Sequence, residues 1–333
     1  MTGERTRRGE FQLIAELFAP LSKGAAGALG LKDDVALIDV SPGCQLVTTT
    51  DTLISGVHFR AGDPPETVAR KALRVNLSDL AAKGARPVGF LQALSLNDSI
   101  DDAYLERYAA GLAVDVQEFG VALLGGDTIS GPGPLAITIT AFGEVETGKA
   151  LLRSGARPGD IVCVTGTIGD GAVGLACLNS ALQLPAPLTE YAVDRYHIPQ
   201  PRLTIGRALA GLATACLDVS DGLVADVGHL CEASGVAIVL DRDSIPLSPA
   251  VLAAVEWDAG WWDAVLGGGD DYELAFTLPP EWVPTLETLA AKLKFPLTVI
   301  GTVIGPLSAP GLGVTVTSGG KPVSVTRAGY RHR

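Results

Sequence analysis

The sequence sets acidic residues at six recurring stations. Asp33-Asp34 precede VALI, Asp51 follows VTTT, and Asp79 sits in NLSD. Asp127 follows VALLGG, Asp218, Ser220 and Asp221 follow TAC, and Asp270-Asp271 with Glu273 follow LGGG. By pattern, most fall at a strand end or a helix start, where backbone leaves a sheet and ligands collect. Any one of them taken alone reads first as a helix cap or turn residue. Six together point to shared work. Hard oxygen donors suit Mg²⁺, which is commonly shared between a few carboxylates and the phosphates of a substrate. Several such ions would let two strongly anionic substrates approach each other. The stretch VTTTDTLISGVHF (47–59) adds the hydroxyls of Thr49 and Thr50 to Asp51. It reads as one wall of a Mg²⁺–phosphate site, with Thr48 alternating to the other strand face.

Other residues fit an anionic ligand. Gly125-Gly126 and Gly267–Gly269 would let backbone N–H groups approach phosphate oxygens, or simply allow sharp turns. Arg153 in LLRSGARPGD offers a bidentate phosphate contact, or a solvated boundary charge. His58 is one of four histidines and offers an anion contact or a proton, or a structural role. Tyr104 and Tyr108, four apart, read as helix packing residues. Two phosphate-loop patterns need separate treatment. Gly143-EVET-Gly148-Lys149 ends in Ala150, which lacks the hydroxyl that such a loop puts on Mg²⁺. Gly169-DGAV-Gly174 spells GxGxxG after a strand-like run, with Glu190 near where a ribose-binding acid would stand. Its plain reading is a tight strand-to-helix turn.

These stations need strands and helices to hold them. VALIDV (35–40), QLVTTT (45–50), VGFLQALSL (88–96), VALLGG (121–126) and PLAITITAFGEV (134–145) read as strands. Residues 66–85 and 101–120 carry helical period, the first after Asp63-Pro64-Pro65 and the second ending at a glycine. GKALLRSGARPGD marks a domain boundary, giving domains 1–148 and 149–333. Beyond it, 160–166, 215–220 and 235–241 read as strands, and 170–182, 221–234 and 281–294 as helices. VNLSDLAAKG (75–84) and LDVSDGLVADVG (217–228) echo each other, each placing Ser-Asp at an expected helix start. The fold class is α/β, in two lobes.

Composition narrows the partners. The 333 residues are 47% hydrophobic and 19% charged, enough for sizeable cores. The net charge of −12 argues against nucleic acid, which is bound through Lys/Arg surfaces. No apolar run reaches the ~18 residues of a membrane span. Arg5, Arg7 and Arg8 precede FQLIAELF, but Gln12 and Glu16 make that stretch an amphipathic helix rather than a signal peptide. Five scattered cysteines with no CxxC fit a reduced, cytoplasmic setting.

GEFQLIAELF, DDVAL, TTDTLISGVHF, KALRVNLSDLAAKGARP, GGDTISG, RSGARPGD, LDVSDGL and GGGDDYELAF occur in this order from residue 9, closing with the GY at 329–330. The set resembles the thiamine-monophosphate kinases, within the aminoimidazole-ribotide-synthetase-like group of ATP-dependent enzymes. The resemblance implies two α/β domains, the N-terminal one binding ATP and Mg²⁺ and pairing across a homodimer to complete a β-barrel. It implies direct, in-line transfer of the ATP γ-phosphoryl to thiamine monophosphate, giving thiamine diphosphate, with several Mg²⁺ and no phosphoenzyme. Carried over by position, Asp34, Thr49, Thr50, Asp51, Asp79, Asp127, Asp218 and Asp221 correspond to metal ligands. Gly126, Asp127, Arg153 and Ser220 correspond to ATP contacts. His58, Asp270 and Tyr330 correspond to substrate contacts, Tyr330 beside the thiamine moiety. No covalent or base residue is implied, since the acceptor phosphate is already ionised. Two positions depart from the pattern: Asp270 stands where the family often has Glu, and Lys32 where it usually has Gly.

Rival readings leave distinct traces. Selenide-activating relatives need a cysteine near the N-terminus, and hydrogenase-maturation relatives one at the C-terminus. Here the first is Cys44, the last is Cys231 and the tail is GYRHR. A dehydrogenase using GDGAVG would bind NAD(H) and tolerate loss of Asp51. A non-catalytic nucleotide binder would hold ATP–Mg²⁺ without turnover.

Overall fold

In the computed structural model, which describes residues 8–307, 313–326 and 328–330, the chain forms two units. The first continues to Leu80 and takes in Arg86–Thr147; the second takes Ala81–Ala85 and runs on from Gly148.

In the first unit, helix α1 (Glu10–Leu13) runs into a single π-helical turn (Ile14–Phe18). It buries Leu13 and Phe18 while Phe11 stays exposed, as an amphipathic start requires. There follow β1 (Cys44–Ile54), α2 (Pro65–Ala82), β2 (Arg86–Leu96), α3 (Asp102–Phe119), β3 (Ala122–Ser130) and β4 (Ala136–Glu146). The strands form one sheet in the order β1-β4-β2-β3, with β2 and β3 parallel and the other pairs antiparallel. Helix α2 opens with a proline at its first position, where the missing N–H costs nothing. Helix α3 is capped at both ends. The Asp101 carboxylate accepts from the Tyr104 N–H at 2.9 Å, and Gly120 stops the helix with φ +64°. Phe90, Gln92 and Leu94 of β2 and Ile137, Ile139 and Ala141 of β4 are buried, and the Tyr108 hydroxyl of α3 donates to Gln92 at 2.7 Å. The helices therefore cover that face. The other face carries Thr50, Thr52, Thr138 and Thr140, paired as Thr50–Thr140 (3.0 Å) and Thr52–Thr138 (2.8 Å).

Two expectations are corrected in this unit, and a discounted one stays discounted. VALIDV is extended but joins no strand among the described residues. Its tie to the rest is the Leu37 N–H donating to Gly27 O at 2.8 Å, and Val35, Leu37 and Val40 are exposed. One such bond does not make a ladder. The Ser78-Asp79 pair lies near the C-terminal end of α2, not at a helix start, because the helical period begins far upstream at Pro65. The Gly143–Lys149 pattern is strand through Glu146 and then a turn, so no helix N-terminus faces a phosphate.

The second unit contains β5 (Ile161–Thr165), α4 (Asp170–Leu178), α5 (Ala186–His197), α6 (Leu203–Leu209), β6 (Ala215–Val219), α7 (Leu223–Ser234) and β7 (Val236–Asp241). Then come α8 (Pro249–Trp257), α9 (Trp262–Gly267), β8 (Glu273–Leu278), α10 (Val283–Leu293), β9 (Leu297–Pro306), β10 (Val314–Ser318) and β11 (Lys321–Pro322). The sheet order is β11-β10-β7-β9-β5-β8-β6. Strands β6 and β8 are buried along their whole length, which is why their sequences run apolar rather than alternating. On β5, Val162 and Val164 join one core with Val173, Leu223, Val227 and Val251. Cys163 turns to the opposite core with Cys216, Phe276, Ile205 and Leu286. Helices thus pack on both faces of this sheet.

The first unit is locked by a buried ion pair between its helices. Arg74 and Asp115, both with no exposed side-chain surface, make two bonds of 2.8 Å, and Arg70 adds a third to Asp115 at 2.9 Å. Removing one partner strands a charge in the core, which costs about 3–5 kcal/mol. Asp115→Ala should lower the unfolding free energy by that amount, read in equilibrium denaturation as a lower urea midpoint with an unchanged slope.

Candidate functional site

In the first unit, strand alternation divides the VTTTD cluster. Thr49 and Asp51 point to the helix-covered face, in register with Ala141 and Ile139. There Thr49 Oγ1 donates to Asp79 Oδ2 at 2.5 Å, joining β1 to α2. Thr50 points to the open face, donating to Ile139 O at 3.1 Å and pairing with Thr140. Of the expected cluster, Thr49 and Asp51 share the face on which Asp79 meets Thr49, and Thr50 stands on the other, because successive side chains of a strand alternate in direction.

The remaining candidates of this unit are dispersed. Gly126 lies on the row Asp51–Ile139–Gln92–Gly126 across the sheet. A Cβ there would come 1.9 Å from Gln92 O, so strand approach alone demands this glycine. Asp127 is exposed on the next row, Thr52–Thr138–Ala93–Asp127, three strand spacings or about 14 Å from β1. Asp34 is exposed in a bend ahead of the extended VALIDV segment. His58 Nδ1 accepts from the Ile54 N–H at 3.0 Å. That bond leaves the proton of the neutral ring on Nε2.

In the second unit, the candidates converge. Asp218 is the last residue but one of β6, and Ser220, Asp221 and Gly222 form the turn into α7. One oxygen of the buried Asp226 carboxylate accepts from the N–H groups of Ser220, Asp221 and Gly222, each at 3.0 Å. Burial pushes the Asp226 carboxyl up to about 7, the Asp221 charge adds to this, and the three amide bonds pull against it. The Gly267–Gly269 loop docks on the same turn. Asp270 N–H donates to Ser220 O at 2.9 Å and Tyr272 N–H to Val219 O at 2.8 Å. A Cβ on Gly269 would lie 2.4 Å from Ser220 O, which requires the glycine. Tyr330 N–H donates to Asp221 O at 2.9 Å. Asp218, Ser220, Asp221, Asp270 and Tyr330 thus belong to three segments tied together by backbone bonds. Arg153 is exposed, its carbonyl held by the Ser234 hydroxyl at 3.1 Å.

Two acidic residues of the last station turn inward instead. The Asp271 carboxylate, fully buried, accepts from Gly169 N–H at 2.9 and 3.0 Å and from Gly171 N–H at 3.3 Å. Those are the amides through which GDGAVG would hold a pyrophosphate, and a side chain already occupies them. The third glycine, Gly174, is needed for helix packing, since a Cβ there would lie 2.1 Å from Ala192 O of α5. Glu273 accepts from Thr165 Oγ1 (2.6 Å), Arg195 Nη2 (2.9 Å) and Arg202 Nε (2.6 Å) in the core. Asp226 and Arg195 carry no motif of their own. Asp226 could have been found as the acid five residues after Asp221 in DGLVAD.

The donor sets fit Mg²⁺ shared with phosphate. Among the described residues, no three His, Cys, Asp or Glu side chains gather into a metal cage. What the fold offers is smaller: Asp79 with the Thr49 hydroxyl, and Asp218 and Asp221 on one turn. Mg²⁺ commonly takes one or two carboxylates and completes its octahedron with water and phosphate oxygens.

Residues 32–145 match the AIR synthase related protein, N-terminal domain, and residues 157–308 match its C-terminal domain. The chain is 39% identical over 327 residues to a thiamine-monophosphate kinase of Caulobacter vibrioides, covering 97% of this chain and 90% of that one. The chain belongs to the thiamine-monophosphate kinase family. The crystal structure of a thiamine-monophosphate kinase from Stenotrophomonas maltophilia K279a superposes with a TM-score of 0.79 at 39% identity, covering 88% of this chain and 90% of that one. A second, AaThiL complexed with AMPPCP and TMP, gives 0.76 at 32% identity, covering 98% and 97%. The α/β fold in two parts is that of the thiamine-monophosphate kinases. No helix among the described residues is long and apolar enough to cross a membrane.

Burial raises the Asp271 carboxyl well above its usual range, against the pull of the Gly169 and Gly171 amides. A raised folded-state value means that the fold holds the proton more tightly than the unfolded chain. That contribution to stability is complete below the unfolded value near ~4 and is lost as pH rises through the folded value. The melting temperature of wild type minus that of Asp271→Asn should therefore fall as pH rises from 4 to 8, measured in chelator without ligand.

Proposed function

We propose that this protein transfers the γ-phosphoryl group of ATP to thiamine monophosphate, giving ADP and thiamine diphosphate, by direct in-line displacement assisted by Mg²⁺. The observation that carries the reading is the tying together of Asp218, Ser220, Asp221, Asp270 and Tyr330 on a chain of this family. The two reacting groups are both anionic, so the task is positioning and charge neutralisation rather than covalent chemistry. Bound Mg²⁺ supplies neutralisation of the phosphate oxygens.

The chain's own groups divide the remaining work. On the first unit, Asp34, Thr49, Thr50, Asp51, Asp79 and Asp127 are the metal ligands, Thr50 offering oxygen from a different face than Thr49. Gly126 and Asp127 contact ATP, and His58 donates from Nε2 to the substrate. On the second unit, Asp218 and Asp221 hold metal, Ser220 and Arg153 contact ATP, and Asp270 and Tyr330 contact the substrate, Tyr330 beside the thiamine moiety. Residues 1–148 form the ATP/Mg²⁺-binding and dimerisation domain and 149–333 the C-terminal domain. The enzyme is a cytoplasmic homodimer in which two copies of the first sheet complete a β-barrel. Support for pairing comes from β1 at the sheet edge and from the exposed Val35, Leu37, Val40 and Leu46.

The test is an assay of ATP, Mg²⁺ and thiamine monophosphate for thiamine diphosphate. Wild type should form it, and Asp51→Asn and Asp221→Asn should lose at least ~100-fold in turnover, the scale for loss of a charge-stabilising group. Their melting temperatures should stay near wild type. Folded wild-type protein that forms no product, or full activity in both variants, would contradict the assignment.

A further inference from the structure

Residues 270–273 alternate in a way that no role above explains. Asp271 and Glu273 are fully buried, while Asp270 and Tyr272 are half-buried. Asp270 and Tyr272 both have positive φ, +70° and +52°. Side chains other than glycine rarely adopt this region, and hold it only where the surroundings over-determine it. Here they do. The Asp271 carboxylate is bound by Gly169 and Gly171, its carbonyl accepts from Arg195 Nη2 at 3.2 Å, and Glu273 is fixed by Thr165, Arg195 and Arg202. The amides of Asp270 and Tyr272 are tied to Ser220 and Val219. The two unusual backbone turns bring the outward side chains together, and the Tyr272 hydroxyl donates to Asp270 Oδ1 at 3.1 Å.

We infer that Tyr272 is a positioning residue that orients the Asp270 carboxylate toward the cationic thiamine moiety. The inference rests on the kinase reading above. Asp270 is one methylene shorter than glutamate, so its reach depends on a single orientation. A phenol hydroxyl on one oxygen fixes that orientation. The carboxylate then complements a positively charged ring from one side, with the exposed Tyr330 on a neighbouring segment as an aromatic face. Tyr272 does not itself touch the reacting atoms.

The test is a double-mutant cycle on the full-length enzyme, with Tyr272→Phe, Asp270→Ala and the pair. KM for thiamine monophosphate, KM for ATP, kcat and melting temperature are measured for each. Tyr272→Phe should raise KM for thiamine monophosphate about tenfold, the scale for a hydrogen bond to a charged group. KM for ATP and the melting temperature should not move. In the Asp270→Ala background the same change should have no further effect. An unchanged KM in Tyr272→Phe, an equal effect in both backgrounds, or a rise in both KM values with a fall in melting temperature overturns the inference. Wild-type turnover is measured first. Its absence would sink the kinase reading and this inference with it, whereas wild-type turnover with an indifferent Tyr272→Phe would sink the inference alone.

Discussion

The second unit is organised around carboxylates that bind its own backbone. Asp271 fills the amide cradle of Gly169 and Gly171 at the start of α4, its oxygens accepting from both N–H groups. Asp226 gathers three successive amides of the turn before α7. Both do internally what a phosphate does in a nucleotide loop. Because Asp271 is pinned, the chain on either side must take left-handed backbone turns, and Asp270 and Tyr272 face outward together. Because the Asp226 turn is pinned, Asp218, Ser220 and Asp221 leave the sheet in a fixed order. The groups assigned to ligands are thus set by groups that never meet a ligand.

The first unit solves a different problem. Its sheet is covered by helices on one face and open on the other, so the strand period decides which candidate stands where. Thr49 and Asp51 fall on the helix side, where Asp79 of α2 meets Thr49, and α2 is itself held to α3 by the buried Arg74–Asp115 pair. Thr50 and Asp127 fall on the open side. The ion pair lies on the same helix as Asp79, little more than a turn before it, so helix register and site geometry are fixed together.

Much of this was legible in the residues. Helical period with Pro65 and Gly120 as punctuation gave α2 and α3 nearly to the residue. The apolar runs at 160–166, 215–220 and 235–241 read correctly as strands, and the structure adds that helices pack on both faces of their sheet. VALIDV misleads because apolar alternation marks a segment that wants a partner, and among the described residues it joins no strand and is tied by Leu37 N–H to Gly27 O. The LGGG station was read as one acidic cluster, yet Asp271 and Glu273 serve the core. Sequence spacing cannot separate an inward from an outward carboxylate when the backbone between them takes positive φ. GDGAVG likewise hides its occupant, since Asp271 lies a hundred residues downstream. Asp226 escaped notice because its partners are backbone amides, which leave no mark in composition.

The central claim is that the second unit holds its site in place before any ligand arrives. Amide hydrogen exchange of the ligand-free protein tests it most directly, by following Gly169, Gly171 and Ser220–Gly222. Internal carboxylate anchoring predicts protection of these amides close to that of the buried strands β6 and β8, with little change on adding Mg²⁺ and ATP. Exchange at the rate of an open loop, slowing only when Mg²⁺ and ATP are added, would contradict it.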